Sequence, residues 1–426
     1  MFMSDLQQQC ASLGISVPSV LLPQKDDMFP AWAVVACDQF SSEREYWDKV
    51  EEIVRGSPST LRMILPEAYL EDGDTEERIA AINETMKDYL EKDVLAPLAP
   101  GFILVERSTP HVASRKGLLL AVDLERYSFE EGSRALIRPT EGTILRRLPP
   151  RMNIRRGACL DLPHILFLVN DPEKTLIEPL YEKREELDEI YDFELMQRGG
   201  HIQGWHVPEE KLSPVLQALE NLVHQELLFA VGDGNHSLAA AKQLWEEKKA
   251  AGAPEDAPTR YALVEVENIF DPGVVFHPIH RVLFNVDGDH LFQFLGDRLG
   301  AEAEYGTPEA ELPREGVHSL GFLSGNKRGK LRFSPEASGL TVEFLQEALD
   351  AYLEQRKEVS IDYIHGEDSV TELCLKDGNF GLILPPVDKD TFFSRILAEQ
   401  VYPRKTFSIG EAVEKRYYLE SRKLIR

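Results

Sequence analysis

Short apolar runs, among them GFILVER, KGLLLAVDL, HILFLVND, LLFAV and YALVEVEN, alternate along this chain with segments whose apolar residues recur at helical spacing. That alternation calls for a mixed α/β (α+β) fold rather than a helical bundle or a β-sandwich. At 426 residues the chain exceeds one ordinary core, and typical domain sizes suggest about two or three domains. The expected divisions are an N-terminal α/β domain over 1–135, a central domain over 136–285 and a C-terminal α/β domain over 286–426.

Within that frame AWAVVAC (31–37) reads as a strand and SSEREYWDKVEEIV as a serine-capped helix. TEERIAAINETMKDYLEKDVL places Thr75 at an N-cap with glutamates behind it. GFILVER and KGLLLAVDL are expected to pair as a hairpin through STPHVASR. PEKTLIEPLYEKREELDEIY and PEEKLSPVLQALENLVHQ read as helices, and FHPIHRVLF follows the strand YALVEVEN. Near the C-terminus HLFQFLGDRLG, VEFLQEALDAYLEQR and FFSRILAEQ read as helices, with HSLGFLSG, KLRFS and FGLILPP as strands.

The charge narrows the function. A formal net charge of -26 opposes binding to nucleic acid, whose affinity comes largely from lysines and arginines that release counterions, and it disfavours an anionic membrane surface. The four cysteines, Cys10, Cys37, Cys159 and Cys374, show no CxxC or zinc-finger spacing. No apolar run approaches the roughly 20 residues a spanning helix needs, and MFMSDLQQQCASLG lacks the features of a secretory signal. A cytoplasmic, soluble protein is expected. GNKRGK fails the P-loop pattern, because Ser324 occupies the first glycine position and Leu331 the Ser/Thr position. GxGxxG, GxSxG, HExxH and the protein-kinase motif set are absent from the sequence.

One junction concentrates unusual residues. LLFAVGDGNHSLAAAKQLWEE runs from an apolar strand through Gly232, Asp233, Gly234, Asn235 and His236 into strong helix formers. Turn chemistry alone accounts for these types: the glycines permit positive φ, and Asp233 or Asn235 can cap the helix. A functional use is equally open, because a helix N-terminus presents N–H groups and partial positive charge to a phosphate. Asp233 would then hold a magnesium ion, and His236 would donate to the phosphate.

A second concentration is RPTEGTILRRLPPRMNIRR, where Arg138, Arg146, Arg147, Arg151, Arg155 and Arg156 surround Glu141. In an acidic protein this run is either an anion site of guanidinium forks or a set of ties to acidic helices. An ionised Glu141 could accept a proton from a substrate hydroxyl. His277 and His280 of HPIH lack a complete ligand set for a metal. His201, Trp205 and His206 of RGGHIQGWH fit either a ligand loop or a turn.

Taken together, ACDQF…YW, RPTEGTI, LPHILFLVND, GWHV, FAVGDGNHSLAAAK and FHPIHR resemble the bacterial and archaeal family known as domain of unknown function 1015, from about residue 15 to VYPRKTFSIG. More distantly, GDGNHS resembles the Asp-Gly-His-His-Arg signature of free serine kinases, which share a fold with ParB nucleotidase domains and sulfiredoxins. The resemblance implies a ParB/sulfiredoxin-like core over 136–285. It matches Asp233 to the signature's acid and His236 to its second histidine, whereas Asn235 and Ser237 replace the first histidine and the arginine. RPTEGT then aligns with the catalytic glutamate stretch, with Thr140 in place of a histidine.

The resemblance and the residues together imply a phosphotransferase acting on a small hydroxyl substrate such as free L-serine, with Mg2+ and a nucleotide or pyrophosphate as phosphate donor. Glu141 and His236 would be catalytic and Asp233 the metal ligand. Arg138, Arg146, Arg147, Arg151, Gly232, Gly234, Asn235 and Ser237 would bind the phosphates. A nucleotide hydrolase on the same fold and a non-catalytic ligand-binding or regulatory protein are the alternatives.

Overall fold

A computed structural model describes residues 5–224, 226–398 and 401–426. Gln225, which ends the helix expected over PEEKLSPVLQALENLVHQ, lies outside them, as do the last two residues of FFSRILAEQ and the first four of the chain. The fold is mixed α/β, and the chain divides into two compact units. The first contains residues up to Val274 together with Phe393–Val401 and Glu411–Arg426; the second contains Val275–Phe392 and Tyr402–Gly410.

Among the described residues, the first unit is built on a nine-stranded sheet. In chain order its strands are β1 (Ile15–Ser16), β2 (Gly101–Ser108), β3 (Arg115–Asp123), β4 (Ile137–Pro139), β5 (Leu166–Val169), β6 (Asp188–Leu195), β7 (Gly200–Pro208), β8 (Phe229–Asp233) and β9 (Tyr261–Asn268). They lie in the order β6-β7-β2-β3-β9-β5-β8-β4, with β1 paired to β3. Phe102, Leu104, Leu118 and Leu120 enter one apolar core, while the alternate residues Ile103, Val105, Leu119 and Ala121 enter another. Period-two geometry sends successive side chains to opposite faces, so a sheet covered on both sides needs the unbroken apolar runs seen in the sequence.

The expected hairpin is present, with Ile103 opposite Leu119. Other segments depart from expectation. AWAVVAC forms a short helix, Phe29–Trp32, and a two-residue strand, Val34–Val35, which pairs with Tyr417–Tyr418. Thr75 is the first helical residue rather than the cap, and its hydroxyl donates to the carbonyls of Leu70 and Asp72. PEKTLIEPLYEKREELDEIY yields only the helix Glu178–Glu182 and a 3-10 turn before it becomes β6. There the polar residues alternate with buried Tyr191, Phe193 and Leu195, so a strand period overrides helix propensity. RGGHIQGWH is strand β7, hydrogen-bonded to β6 on one side and β2 on the other.

The second unit carries its own sheet of largely antiparallel pairs, which includes FHPIHRVLF as Phe276–Phe284. HSLGFLSG, KLRFS and FGLILPP supply further strands of this sheet, His318–Ser324, Lys327–Phe333 and Phe380–Ile383. Gly288–Leu299 and Thr341–Gln355 are helices, as their periodicity predicts. No helix among the described residues is long and apolar enough to cross a membrane.

Candidate functional site

Two helices and two strands of the first unit assemble the GDGNHS junction. Strand β8 pairs in parallel with β4, Phe229 opposite Ile137 and Val231 opposite Pro139. Both strands therefore end at one level, and the loops that leave their carboxyl ends, GDGNHS and TEGTI, emerge side by side. In open sheets with parallel strands, that edge is where ligands are held. From GDGNHS the chain enters helix α2 (Asn235–Ala250), and from TEGTI it enters α1 (Leu148–Arg156) through the 3-10 turn Leu145–Arg147. Ala239 and Ala240 pack on Leu148 and Met152, while Leu238, Ala241 and Trp245 turn into the sheet core. Burying side chains as large as Leu or Met contributes roughly 1.5–3 kcal/mol each, which fixes α2 against both partners.

Gly234 is the N-cap of α2, with φ +75°. A Cβ here would lie 3.0 Å from the Ile165 side chain and 3.1 Å from its Cα. Left-handed backbone and close approach both demand glycine. The Gly234 N–H donates to Asp233 Oδ1 at 2.8 Å, and Lys415 Nζ lies 3.0 Å from Asp233 Oδ2. Burial pushes the Asp233 carboxyl up, but the Lys415 ammonium and the Gly234 N–H outweigh it and hold the group below its ordinary value.

The next two side chains lace the loops together. Asn235 Nδ2 donates to the Glu141 carbonyl at 2.9 Å and to Thr143 Oγ1 at 3.4 Å. His236 Nε2 accepts the Ile144 N–H at 3.2 Å, which places the proton of a neutral ring on Nδ1. Thr140 Oγ1 donates to the Val231 carbonyl at 2.8 Å. Thus Glu141, half-buried, sits in a loop pinned to the first turn of α2 by Asn235 and His236 and to the end of β8 by Thr140.

Ser237 faces another way. Its Oγ is 2.9 Å from His164 Nε2, and His164 Nδ1 is 3.0 Å from the Tyr418 hydroxyl, which in turn donates to Cys37 Sγ at 3.0 Å. His164 precedes β5, whose Leu166 opposes Asp233, so the ladder itself delivers the imidazole to the start of α2. Desolvation lowers the His164 pKa against the pull of Asp38 and Asp233. Burial raises the Cys37 thiol to about 11.

The arginines separate. Arg138 is buried and donates to the carbonyls of Ala135 and Ile396, at 2.8 and 3.5 Å. Arg146 and Arg147 are exposed on the 3-10 turn and form no ion pair among the described residues. Arg151 pairs with Glu67, Arg155 with Asp161 and Arg156 with Glu247. Ties to acidic elements thus describe the last three, whereas Arg146 and Arg147 remain beside the Glu141 loop in sequence with free charge.

Asp233 does not fit a magnesium ion as the side chains stand. One carboxylate oxygen takes its neighbour's N–H, and the other takes the Lys415 ammonium. The positive charge at this corner is supplied by the chain itself. Lys415, His164, Tyr418 and Cys37 were not marked by sequence motifs. Their signals are slight: a single histidine ahead of ILFLV, and a KRYY stretch in a polar C-terminal segment.

The fold and this junction go with a family. The chain belongs to the family described as protein of unknown function DUF1015, whose pattern it matches over residues 19–352. No curated protein matches it in sequence. Among solved structures, a point mutant of a free serine kinase in complex with AMP is 13% identical, with a TM-score of 0.40, covering 72% of this chain and 92% of that one. A conserved hypothetical protein from Pyrococcus furiosus is 14% identical, with a TM-score of 0.36 and coverage of 72% and 95%. SbnI from Staphylococcus aureus, truncated at its C-terminus, is 12% identical, with a TM-score of 0.37 and coverage of 68% and 82%.

Proposed function

We propose that the mouth shared by GDGNHS and TEGTI binds a phosphorylated donor and transfers a phosphoryl group to a small hydroxyl compound, free L-serine being the first to try. The observation that supports this most is the pinning of the Glu141 loop to the first turn of α2 through Asn235 and His236, and to the end of β8 through Thr140. It brings the backbone of Glu141 beside a helix end, and a carboxylate next to a helix end is the pairing such chemistry asks of a protein that mainly positions groups and stabilises charge.

In this reading the α2 end and Gly234 receive donor phosphate, and Arg146 and Arg147 add exposed cationic charge. Glu141 accepts the substrate hydroxyl proton. His236 contributes through Nδ1, since Nε2 already serves Ile144. Asn235 positions Glu141 rather than touching phosphate, and Ser237 is set aside from the donor, because its hydroxyl is engaged by His164 and its N–H by the Gly234 carbonyl. Lys415 stands where magnesium was expected to bind Asp233, so any metal would travel with the donor.

The test is to incubate the protein with ATP, ADP or pyrophosphate, with and without serine and Mg2+, and to look for O-phosphoserine by mass spectrometry. Serine-dependent product supports the proposal. Donor breakdown that ignores serine points to the hydrolase alternative, with Glu141 activating water. A ligand-induced thermal shift without turnover points to a binding or regulatory protein.

A further inference from the structure

A cavity of about 120 Å³ is lined by Ser237 from the first turn of α2 together with His164, Tyr418 and Cys37. The rest of its wall is largely apolar, with Met63, Leu65, Met86 and Ile154 among its residues. All of these residues belong to the first unit.

The hydrogen bonds fix the direction of the protons. Cys37 N–H donates to the Tyr418 oxygen at 3.4 Å, and the single Tyr418 proton goes to Cys37 Sγ. The Tyr418 oxygen has a second lone pair, which only His164 Nδ1–H can fill at 3.0 Å. His164 Nε2 is therefore the bare nitrogen, and the Ser237 hydroxyl donates to it. A serine whose proton rests on a neutral imidazole, itself oriented by a third group, is the arrangement that activates serine as a nucleophile. Ser237 also stands in the first turn of a sixteen-residue helix, where the field favours a developing oxyanion.

We infer that Ser237 is a His164-activated nucleophile that accepts a small apolar acyl group from an ester held in this cavity. Ser237 Oγ attacks the carbonyl carbon as its proton passes to His164 Nε2. The carbon–oxygen bond to the leaving alcohol then breaks, and the alcohol departs with that proton. Water attacks the acyl-serine, gives its proton to Nε2, and releases the carboxylic acid while Oγ recovers a proton. Tyr418 is a positioning residue that holds the imidazole in its tautomer. This activity is independent of phosphotransfer and of Glu141.

The test uses the full chain with an alkyl fluorophosphonate, followed by peptide mapping, and with p-nitrophenyl butyrate in a hydrolysis assay. A single adduct at Ser237 is expected, absent from Ser237→Ala, with His164→Gln slowing labelling about a hundredfold or more. Tyr418→Phe should slow labelling less and shift its pH profile, which a purely structural tyrosine would not do. Circular dichroism and melting temperature report whether each variant is folded. If His164→Gln does not fold, the wild-type adduct map decides alone. No adduct at Ser237 while chymotrypsin is fully labelled in the same tube overturns the inference, as does undiminished labelling of folded His164→Gln.

Discussion

The two sides of one helical turn are held by different kinds of bond. On the Glu141 side, Asn235 and His236 bond backbone groups of the loop, and Thr140 of that loop bonds the Val231 carbonyl of β8. On the other side, Ser237, His164, Tyr418 and Cys37 form a chain linked through their side chains. Bonds to backbone shape a loop. A chain of side chains fixes which atom carries each proton. Neighbouring residues of one motif can thus serve geometry on one face and proton placement on the other.

The largest test of that division is Glu141→Gln. With Glu141 as base, phosphotransfer should fall by about 10²–10⁴-fold, while fluorophosphonate labelling of Ser237 stays at the wild-type rate. Parallel loss of both would merge the two sides into one site. Next comes Lys415→Met, which leaves Asp233 half-buried beside only its own turn N–H. Urea denaturation at pH 7 should show a loss of about 1–3 kcal/mol. Wild-type Asp233, held low, lends stability that is full above the ordinary carboxylate pKa and vanishes as pH falls through its lowered value. The difference between wild type and Lys415→Met should accordingly shrink as pH falls below the ordinary carboxylate value and through the lowered one, because a protonated Asp233 needs no partner.

The two sides also differ in how legible they were. GDGNHS and RPTEGT are local patterns, and each carries its own turn chemistry, so the strand–helix junction and the positive φ of a glycine there could be read from consecutive residues, while the cap expected at Asp233 or Asn235 falls to Gly234. The opposite face draws on residues 37, 164, 237 and 418. Only a strand ladder, Val34–Val35 against Tyr417–Tyr418, and the register of β5 on β8 bring them together. Spacing along the chain holds no trace of such a meeting. The arginine run shows the same limit, since Arg151, Arg155 and Arg156 find acids at positions 67, 161 and 247. Strands β6 and β7 were obscured for another reason: many polar residues alternate along one face, which reads as helix or turn until a neighbouring strand is present.

A smaller effect sharpens the comparison on the loop side. Asn235→Ala removes the tether to the Glu141 carbonyl and should cost about 1 kcal/mol in thermal or urea stability, with KM for the donor raised and Ser237 labelling unchanged. The smallest effect lies on the imidazole side. Because burial holds His164 below its ordinary pKa, it gains its proton at lower pH than an exposed histidine. The pH–rate profile of Ser237 labelling should bend below about 6.5. An inflection above that value would contradict the proton assignment.

The account rests on TEGTI and the α2 end acting as one pocket for a phosphorylated ligand. Hydrogen exchange measured by mass spectrometry, with and without saturating ADP or pyrophosphate, tests this directly. Amides of residues 140–144 and of 234–237 should slow together when ligand is added. Ligand that binds while protecting only one of these segments, or neither, would contradict it.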